Sequence, residues 1–153
     1  MDLDLTGKRA LVCGASEGIG RATAFELATL GASVTVLARR EAALREVVDG
    51  LPRGTSQSHG FIVADMADGD DLREEAAALA SESPVHILVN NTGGPPAGRA
   101  IEAGIDAFLD AYRRHLLANQ ILAQALVPGM REAGYGRIVN VISTSVYEPI
   151  PNL

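Results

Sequence analysis

An apolar run near the start of the chain stops at a glycine, and two further glycines follow it. Residues 11–13 lead into Gly14, and Gly18 and Gly20 follow directly before a helical pattern. Glycine permits a sharp exit from a strand and a close approach of backbone to a ligand. The free N–H groups at the start of the next helix attract an anion. The segment therefore predicts a strand, a tight turn and a helix N-terminus built around a phosphate group.

The rest of the chain alternates short apolar runs with helical patterns. Strands are predicted over residues 9–15, 33–38, 60–64, 85–90 and 137–143, helices over 18–30, 41–48, 68–81 and 105–131, and loops over 93–98 and 147–153. Continuous apolar strands are typical of a parallel sheet covered on both faces. Strict alternation of strand and helix favours right-handed crossovers. We therefore predict an α/β fold with a doubly wound parallel sheet of five strands and helices on both faces.

Charge and cysteine content argue against several functional classes. The net charge is −6 and the arginines are scattered, so a nucleic-acid-binding face is not expected. Cys13 is the only cysteine, which fits a reducing compartment. The acidic N-terminus is unlike that of a signal peptide, and no apolar run approaches the roughly 20 residues of a membrane span. We therefore expect a cytoplasmic protein that binds neither nucleic acid nor membrane, and we predict no metal site.

Four segments in chain order resemble motifs of the short-chain dehydrogenase/reductase family. They are Leu-Thr-Gly-Lys-Arg-Ala-Leu-Val at 5–12, Gly14-x-x-x-Gly18-Ile19-Gly20, Asn-Asn-Thr-Gly at 90–93 and Gly-Arg-Ile-Val-Asn-Val-Ile-Ser at 136–143. Asn-Asn-Thr-Gly-Gly-Pro-Pro at 90–96 also resembles a divergent subgroup similar to 3-oxoacyl-acyl-carrier-protein reductases. The resemblance implies a single NAD(P)-binding Rossmann domain over residues 1–153. It also implies an oxidoreductase that acts on a carbonyl or alcohol substrate and forms homo-oligomers.

Two arginines directly follow the second predicted strand, where a dinucleotide fold meets the adenosine ribose. Arg39 and Arg40 can hold a 2′-phosphate, whereas an acid there would bind the ribose 2′-OH. Ala38 stands where NAD users often carry aspartate. We therefore predict NADP rather than NAD as the cofactor, with simple solvation as the alternative role for Arg40. Glu17 counts against the phosphate, because many family members that use NADP carry a basic residue there.

The family resemblance implies further cofactor contacts. The candidates are Gly14, Ser16, Glu17, Gly18, Ile19 and Gly20 in the glycine loop, Asp65 and Met66 after the third strand, and Asn91 and Gly93 after the fourth. Asp65 is expected near the adenine, with a helix cap for the segment beginning near Asp68 as the alternative. Asn90 can instead join neighbouring strands.

Two candidate catalytic residues follow from the resemblance. Ser143 stands at the position of the family's catalytic serine, which holds the substrate oxygen. When Phe108 is aligned with the family's usual aromatic, His115 falls at the position of the asparagine that holds a water in a proton relay. A histidine can bind a water and titrates near neutrality. The alternative for His115 is a helix residue that faces the interior or an interface.

The tyrosine and lysine on which the family's chemistry depends are not found in this chain. The pair is expected about a dozen residues after Ser143, where the tyrosine exchanges the proton and the lysine lowers the tyrosine pKa. Lys8 is the only lysine, and Pro151 stands four residues after Tyr147. We therefore expect a domain that is incomplete at its C-terminus and inactive alone. Its fifth strand would form a bare edge that promotes association.

Three functions are compatible with these residues. The first is an NADP-dependent reductase of a carbonyl substrate, with a 3-oxoacyl compound as one candidate. The second is an NADP-binding module without catalysis, such as a sensor or pseudo-enzyme. The third is another Rossmann-type enzyme such as a methyltransferase. The third is disfavoured because those enzymes rely on an acid after the second strand, where this chain has Ala38 and Arg39.

Overall fold

The computed structural model describes residues 3–148 and 150, and strands alternate with helices along the chain. The strands are β1 (Arg9–Cys13), β2 (Ser33–Ala38), β3 (Gly60–Val63), β4 (Ile87–Asn90) and β5 (Arg137–Asn140). The helices are α1 (Gly18–Thr29), α2 (Glu41–Gly50), α3 (Gly69–Glu82), α4 (Ile105–Tyr112) and α5 (Ala118–Glu132). All strand pairs are parallel, in the order β3-β2-β1-β4-β5. The predicted α/β fold is therefore confirmed.

Helices cover both faces of the sheet because successive strand residues point to opposite sides. On one face Leu11 and Cys13 of β1 pack in the same cluster as side chains of α3 and α5. On the other face Ala10 and Val12 pack with side chains of α1 and α2. These four β1 side chains are at most 2% exposed. Burial on both faces explains why the strands contain continuous apolar runs rather than alternating ones.

The end of β5 differs from the prediction, which extended this strand to Ser143. The last β4 residue, Asn90, is paired with Asn140, and the Val141 N–H still donates to the Asn90 carbonyl at 2.9 Å. β4 ends at Asn90, so among the described residues β5 has no ladder partner beyond Asn140 and ends there. Ser143 precedes a short 3₁₀ turn, Thr144–Val146. Residues 149 and 151–153 of the predicted terminal loop lie outside the described residues.

The long helix predicted over residues 105–131 is interrupted. A π-helical turn, Arg113–Leu117, separates α4 from α5. α5 directs Ala118, Leu122, Leu126 and Met130 into the core, whereas α4 buries no residue. The wide turn adds a residue to the helical repeat and so offsets the apolar stripes of the two helices. Single π turns occur often at functional sites, and this one lies beside the cavity described below.

Two asparagines join the central strand β4 to β5. Asn90 is a polar residue only 3% exposed, and its Nδ2 donates to Asn140 Oδ1 at 2.8 Å. Because an unpaired amide in the core is costly, this bond fixes the register of the two strands. The structural alternative considered for Asn90 is therefore confirmed.

β5 lies at the edge of the sheet and carries exposed apolar side chains. Ile138 and Val139 are 43% and 49% exposed, and Ile142 beyond the strand is 63% exposed.

The described residues hold no helix long and apolar enough to cross a membrane. Residues 3–148 and 150 also contain no group of three or more His, Cys, Asp or Glu side chains that could hold a metal ion.

His86 forms a hydrogen bond that depends on pH at the start of the sheet. The Arg9 N–H donates to His86 Nδ1 at 3.0 Å, so this nitrogen must carry no proton. Burial, together with the charges of Lys8 and Arg9, lowers the pKa of His86. The unfolded chain therefore binds this proton at a higher pH than the folded chain does. The stabilisation is complete above the unfolded pKa and is lost as the pH falls through the folded one.

We predict that the free energy of unfolding falls more steeply from about pH 7.5 to pH 5 in the wild type than in a His86→Gln variant. At the higher pH we expect the variant to be less stable by about 1 kcal/mol, the net worth of one hydrogen bond. Urea denaturation at both pH values measures the two differences. Equal slopes for the two proteins would contradict the assignment of this proton to His86.

Candidate functional site

The glycine loop is held against the end of β4. Gly14 has φ +59°, and Asn91 Nδ2 donates to the Cys13 and Gly14 carbonyls at 3.3 and 3.2 Å. A Cβ at Gly14 would stand 2.6 Å from the Asn91 oxygen, and a Cβ at Gly20 would stand 2.4 Å from the Gly14 oxygen. No side chain fits at either position, so α1 and both strand ends approach one another directly. This is the close packing that the glycine spacing predicts.

A cavity of about 710 Å³ opens at the carboxyl ends of the strands. It lies over β1 and β4, which are neighbours in the sheet. The crossover that follows β1 and the one that follows β4 lead to opposite sides, so the strand order reverses between them. Ligands of parallel α/β sheets bind at such a switch point. Its volume is typical of a small-molecule site. Of the residues predicted from the sequence, it is lined by Gly14, Ser16, Glu17, Arg39, Arg40, Asp65, Met66, Asn91, Gly93 and His115.

Four candidate residues are not among those that line the cavity. Gly18 and Ile19 lie in the first turn of α1, and Gly20 packs against the Gly14 carbonyl. Gly18 has φ +58°, and the position of its missing Cβ faces open space. Ser143 accepts hydrogen bonds from the Ser145 N–H at 3.1 Å and the Ser145 hydroxyl at 2.8 Å. The catalytic role of Ser143 therefore stays a prediction.

Glu17 and Arg40 form an ion pair at the rim of the cavity. Arg40 Nη2 lies 2.9 Å from Glu17 Oε2 and donates to the Ser16 hydroxyl at 3.4 Å. The two side chains are 61% and 79% exposed, so water screens the pair. Glu17 and Arg40 occupy the N-cap positions of α1 and α2, and neither side chain caps its own helix. The pair therefore joins the starts of two neighbouring helices.

Arg114 is held between two carboxylates. Its Nη1 donates to Asp65 Oδ1 at 2.8 Å and its Nε donates to Asp110 Oδ2 at 2.7 Å. The hydrogen bond from Arg114 lowers the pKa of Asp110, and the hydrogen bond to Asp110 raises the pKa of Arg114. Arg114 is only 23% exposed. These bonds tie the π turn to the loop that follows β3.

Asp65 does not cap α3, which was the alternative to its place near a cofactor. The cap is Asp68, whose side chain accepts from the Asp70 and Asp71 N–H groups at 3.2 Å. Asp65 Oδ1 accepts from the Ala67 N–H at 2.9 Å as well as from Arg114. Its Oδ2 is 3.9 Å from Arg39 Nη1. Oδ2 therefore remains the more available oxygen toward the cavity.

His115 lies in the π turn and lines the cavity. Its Nε2 is buried and has no hydrogen-bond partner among the described residues. A buried ring nitrogen without a partner is rare, and a bound water or ligand is the usual reason for one. The wide turn places this side chain where a continuous α-helix would put another residue. The position predicted for a water-binding group is thus at the cavity.

Sequence reasoning missed Arg114 and Asp110 as members of the cavity wall. Their spacing of four residues on a helix is the signal for an ion pair. The further bond from Arg114 to Asp65 joins residues 49 apart and has no local signature. Gly94, Pro95 and Pro96, which were predicted only as loop residues, also line the cavity, as does Thr92, which was identified only within the Asn-Asn-Thr-Gly motif.

Comparisons with known proteins identify the family. The chain belongs to the short chain dehydrogenase family, whose family model matches residues 8–153. L-xylulose reductase of Mesocricetus auratus is 35% identical over 153 residues, which cover 99% of this chain and 59% of that protein. The human inactive hydroxysteroid dehydrogenase-like protein 1 is 31% identical over 149 residues, 96% of this chain and 45% of that protein. The chain thus spans about half the length of the curated relatives it matches.

A solved structure shares the fold. L-sorbose reductase from Gluconobacter frateurii, complexed with NADPH and L-sorbose, aligns with a TM-score of 0.91 at 29% identity. The alignment covers 99% of this chain and 58% of the reductase chain. The fold of the five-stranded sheet and its helices is thus shared with a protein that was solved in complex with NADPH.

We predict that Arg114→Gln lowers the free energy of unfolding by about 1 kcal/mol, because a half-buried charge-assisted network loses its donor. Arg113→Gln removes the same charge from the same turn. Arg113 is exposed and forms no ion pair within residues 3–148, so this control should change stability by less than about 0.5 kcal/mol. Chemical denaturation of both variants measures the difference. Equal losses would show that the network around Arg114 is not stabilising.

Proposed function

We propose that this chain is the NADP-binding part of an oxidoreductase that reduces a carbonyl group by hydride transfer. The observation that carries the proposal is the single cavity that joins the glycine loop to Arg39 and Arg40. Gly18, at the start of α1, leaves open space where a side chain would stand in the way of a pyrophosphate bound at this helix N-terminus, which supports the proposal. The relation to L-sorbose reductase, which was solved with NADPH, supports the same cofactor.

Arg39 is the residue we propose to select the 2′-phosphate. Its guanidinium is 68% exposed and its nearest carboxylate oxygen, on Asp65, is 3.9 Å away. The other two arginines of the cavity make carboxylate contacts shorter than 3 Å. Arg39 is therefore the cavity arginine whose guanidinium is most available to bind a phosphate. Guanidinium groups match the geometry of a phosphate well.

We propose that His115 and Ser143 serve the reaction itself. Bound NADPH would supply the hydride, and the protein must then stabilise the carbonyl oxygen and deliver a proton. His115 lines the cavity, and its buried Nε2 has no hydrogen-bond partner among the described residues, so it is the group we propose to bind a water there. The Ser143 hydroxyl accepts two hydrogen bonds from Ser145, which leaves its own hydrogen free to donate to a substrate oxygen.

The substrate class stays broad in this proposal. The subgroup resemblance at residues 90–96 favours a 3-oxoacyl compound. L-xylulose reductase and L-sorbose reductase are named for keto sugars. All are carbonyl compounds, and a fold alone does not distinguish them. We also propose a cytoplasmic location, because Cys13 is the only cysteine in the sequence and an internal disulfide is therefore impossible.

A second candidate is an NADP-binding protein without turnover. His115 replaces the family's asparagine, and one of the relatives is named as an inactive hydroxysteroid dehydrogenase-like protein. Cofactor binding is common to both candidates. Consumption of NADPH in the presence of a carbonyl substrate by the protein that carries this chain would favour the enzyme. Tight binding without consumption would favour the second candidate.

We predict that the protein binds NADPH more tightly than NADH, and that Arg39→Gln removes most of this preference. Loss of one phosphate contact should weaken NADPH binding roughly tenfold and leave NADH binding nearly unchanged. Titration of the fluorescence of the reduced nicotinamide measures both dissociation constants.

Arg73→Gln is the matched control for this test. Arg73 is 60% exposed and paired with Asp70 on α3, and it does not line the cavity. The control should bind both cofactors as the wild type does. Equal affinity of the wild type for NADPH and NADH would refute the preference, and binding of neither would refute the cofactor assignment.

We also propose that the 153-residue chain self-associates through the edge of its sheet. An exposed apolar edge strand is a template for pairing with another copy, and a lysine on such an edge blocks it. Light scattering should show oligomers of the wild type and a shift toward monomer in Ile138→Lys. Ile101→Lys, which changes a residue 89% exposed outside the sheet, should leave the wild-type behaviour intact. A stable wild-type monomer at high concentration would rule the proposal out.

A further inference from the structure

The starts of three neighbouring strands meet at the end of the sheet opposite the cavity. Lys8, His86 and Gly136 directly precede β1, β4 and β5. The His86 N–H donates to the Arg9 carbonyl at 2.8 Å, and the Arg137 N–H donates to the His86 carbonyl at 2.9 Å. The pairing of the strands thus brings together side chains that are far apart in the sequence.

The ring of Tyr135, which lies between α5 and β5, is the centre of this group. Lys8 Nζ lies 4.4 Å from the ring centroid, and Arg137 Cζ lies 4.7 Å from it. His86 meets the ring edge-on, with the two centroids 6.2 Å apart. The face of an aromatic ring attracts a cation, so both cations are held near Tyr135 without being neutralised. We call Lys8, His86, Tyr135 and Arg137 the amino-end cluster, and none of the four lines the cavity.

Two cations of the amino-end cluster have no carboxylate partner in the described part of the chain. Neither Lys8 nor Arg137 forms an ion pair there, and the Arg137 guanidinium donates to the neighbouring Gly136 carbonyl at 2.8 Å. Arg9 differs from them, because its guanidinium lies 2.9 Å from Glu82 Oε2 and its charge is thereby balanced. The cluster therefore carries two uncompensated positive charges, although the chain has a net charge of −6.

His86 adds no third positive charge to the cluster near neutral pH. Its Nδ1 accepts a hydrogen bond from the Arg9 N–H at 3.0 Å, so this nitrogen carries no proton. Burial lowers the pKa of His86, and the charges of Lys8 and Arg9 lower it further. The positive potential at this end of the sheet therefore acts on a group within the cluster, and it would act equally on an anion bound there.

We propose that Lys8 and Arg137 bind a phosphate-class dianion beside the Tyr135 ring, at a site separate from the cavity. Two positive charges held at one ring repel each other, and a doubly negative group between them removes this repulsion. A guanidinium offers paired donors to phosphate oxygens, and an ammonium adds a point charge. A phosphate group carries about −1.5 to −2 charges near pH 7, which matches two cations, whereas a carboxylate carries one. The site requires no cofactor and so does not depend on the proposed function.

Thermal unfolding of the protein at increasing concentrations of inorganic phosphate tests the proposal. A ligand that binds only the folded state raises the unfolding temperature to an extent set by its dissociation constant. We expect a constant in the millimolar range for the wild type, weakened roughly tenfold in Lys8→Gln and in Arg137→Gln, because each loses one charge-assisted contact. Each protein is compared with itself in sodium chloride of equal ionic strength, so a change in its own stability cancels.

Two other variants serve as controls. Arg21→Gln removes a cation that lies over a different ring, 4.9 Å from the Phe25 centroid. Arg39→Gln removes the arginine that we propose to bind a phosphate in the cavity. Both variants retain the amino-end cluster and should keep the wild-type constant for inorganic phosphate.

The results that would contradict the site are distinct from those that support it. Equal phosphate constants in the wild type, Lys8→Gln and Arg137→Gln overturn the proposal, as does stabilisation no greater than that by sodium chloride. A response lost in Arg39→Gln but kept in Lys8→Gln assigns the phosphate to the cavity and also overturns it. Weaker binding in both cluster variants, with unchanged controls, supports the site.

Glycerol phosphate, titrated in the same way, distinguishes the source of the bound group once the site is established. Tighter binding of the ester than of inorganic phosphate indicates a phosphorylated small molecule. Tighter binding of inorganic phosphate indicates the free ion. In either case the affinity should depend on both Lys8 and Arg137.

Discussion

The contact between the end of β1 and the end of β4 determines the geometry of the site. Asn91 bonds to two successive carbonyl groups, those of Cys13 and Gly14, across the centre of the sheet. This is possible only because Gly14 and Gly20 carry no side chains, so that α1 can begin against the strand ends. The cavity opens beside this contact, and its other walls come from loops that follow the neighbouring strands and from α4 and the π turn. A side chain at either glycine would separate the elements on which the cavity depends.

The parts of the structure that could be predicted from the sequence are those with a local requirement. Two-sided burial produces continuous apolar runs, so β2 and the starts of β1, β3 and β5 follow directly from the pattern. The glycine loop could be predicted because the spacing of its glycines reflects a local requirement of the backbone. The end of β5 could not, since it coincides with the end of its ladder partner β4 at Asn90 rather than with a signal in residues 141–143 themselves.

The charged part of the site was predictable only in fragments. Arg39, Arg40 and Glu17 were identified as single residues with opposite effects on a phosphate, but their pairing depends on the approach of two helix starts. Arg114 gave only the local spacing to Asp110, and its bond to Asp65 arises when the π turn packs over the β3 loop. Charge balance in the cavity is thus a property of tertiary structure, although every charge was visible in the sequence.

The π turn connects this charge network to the candidate chemistry. Arg114 anchors the turn to Asp65, and the next residue, His115, lines the cavity with its buried Nε2 lacking a hydrogen-bond partner among residues 3–148 and 150. Arg114 also bonds to Asp110 of α4, so two charge-assisted hydrogen bonds hold the turn at this position. The ion-pair network and the position of the histidine are therefore two aspects of one local arrangement. Loss of the network would remove the bonds that hold the turn, and with it His115, against the loop that follows β3.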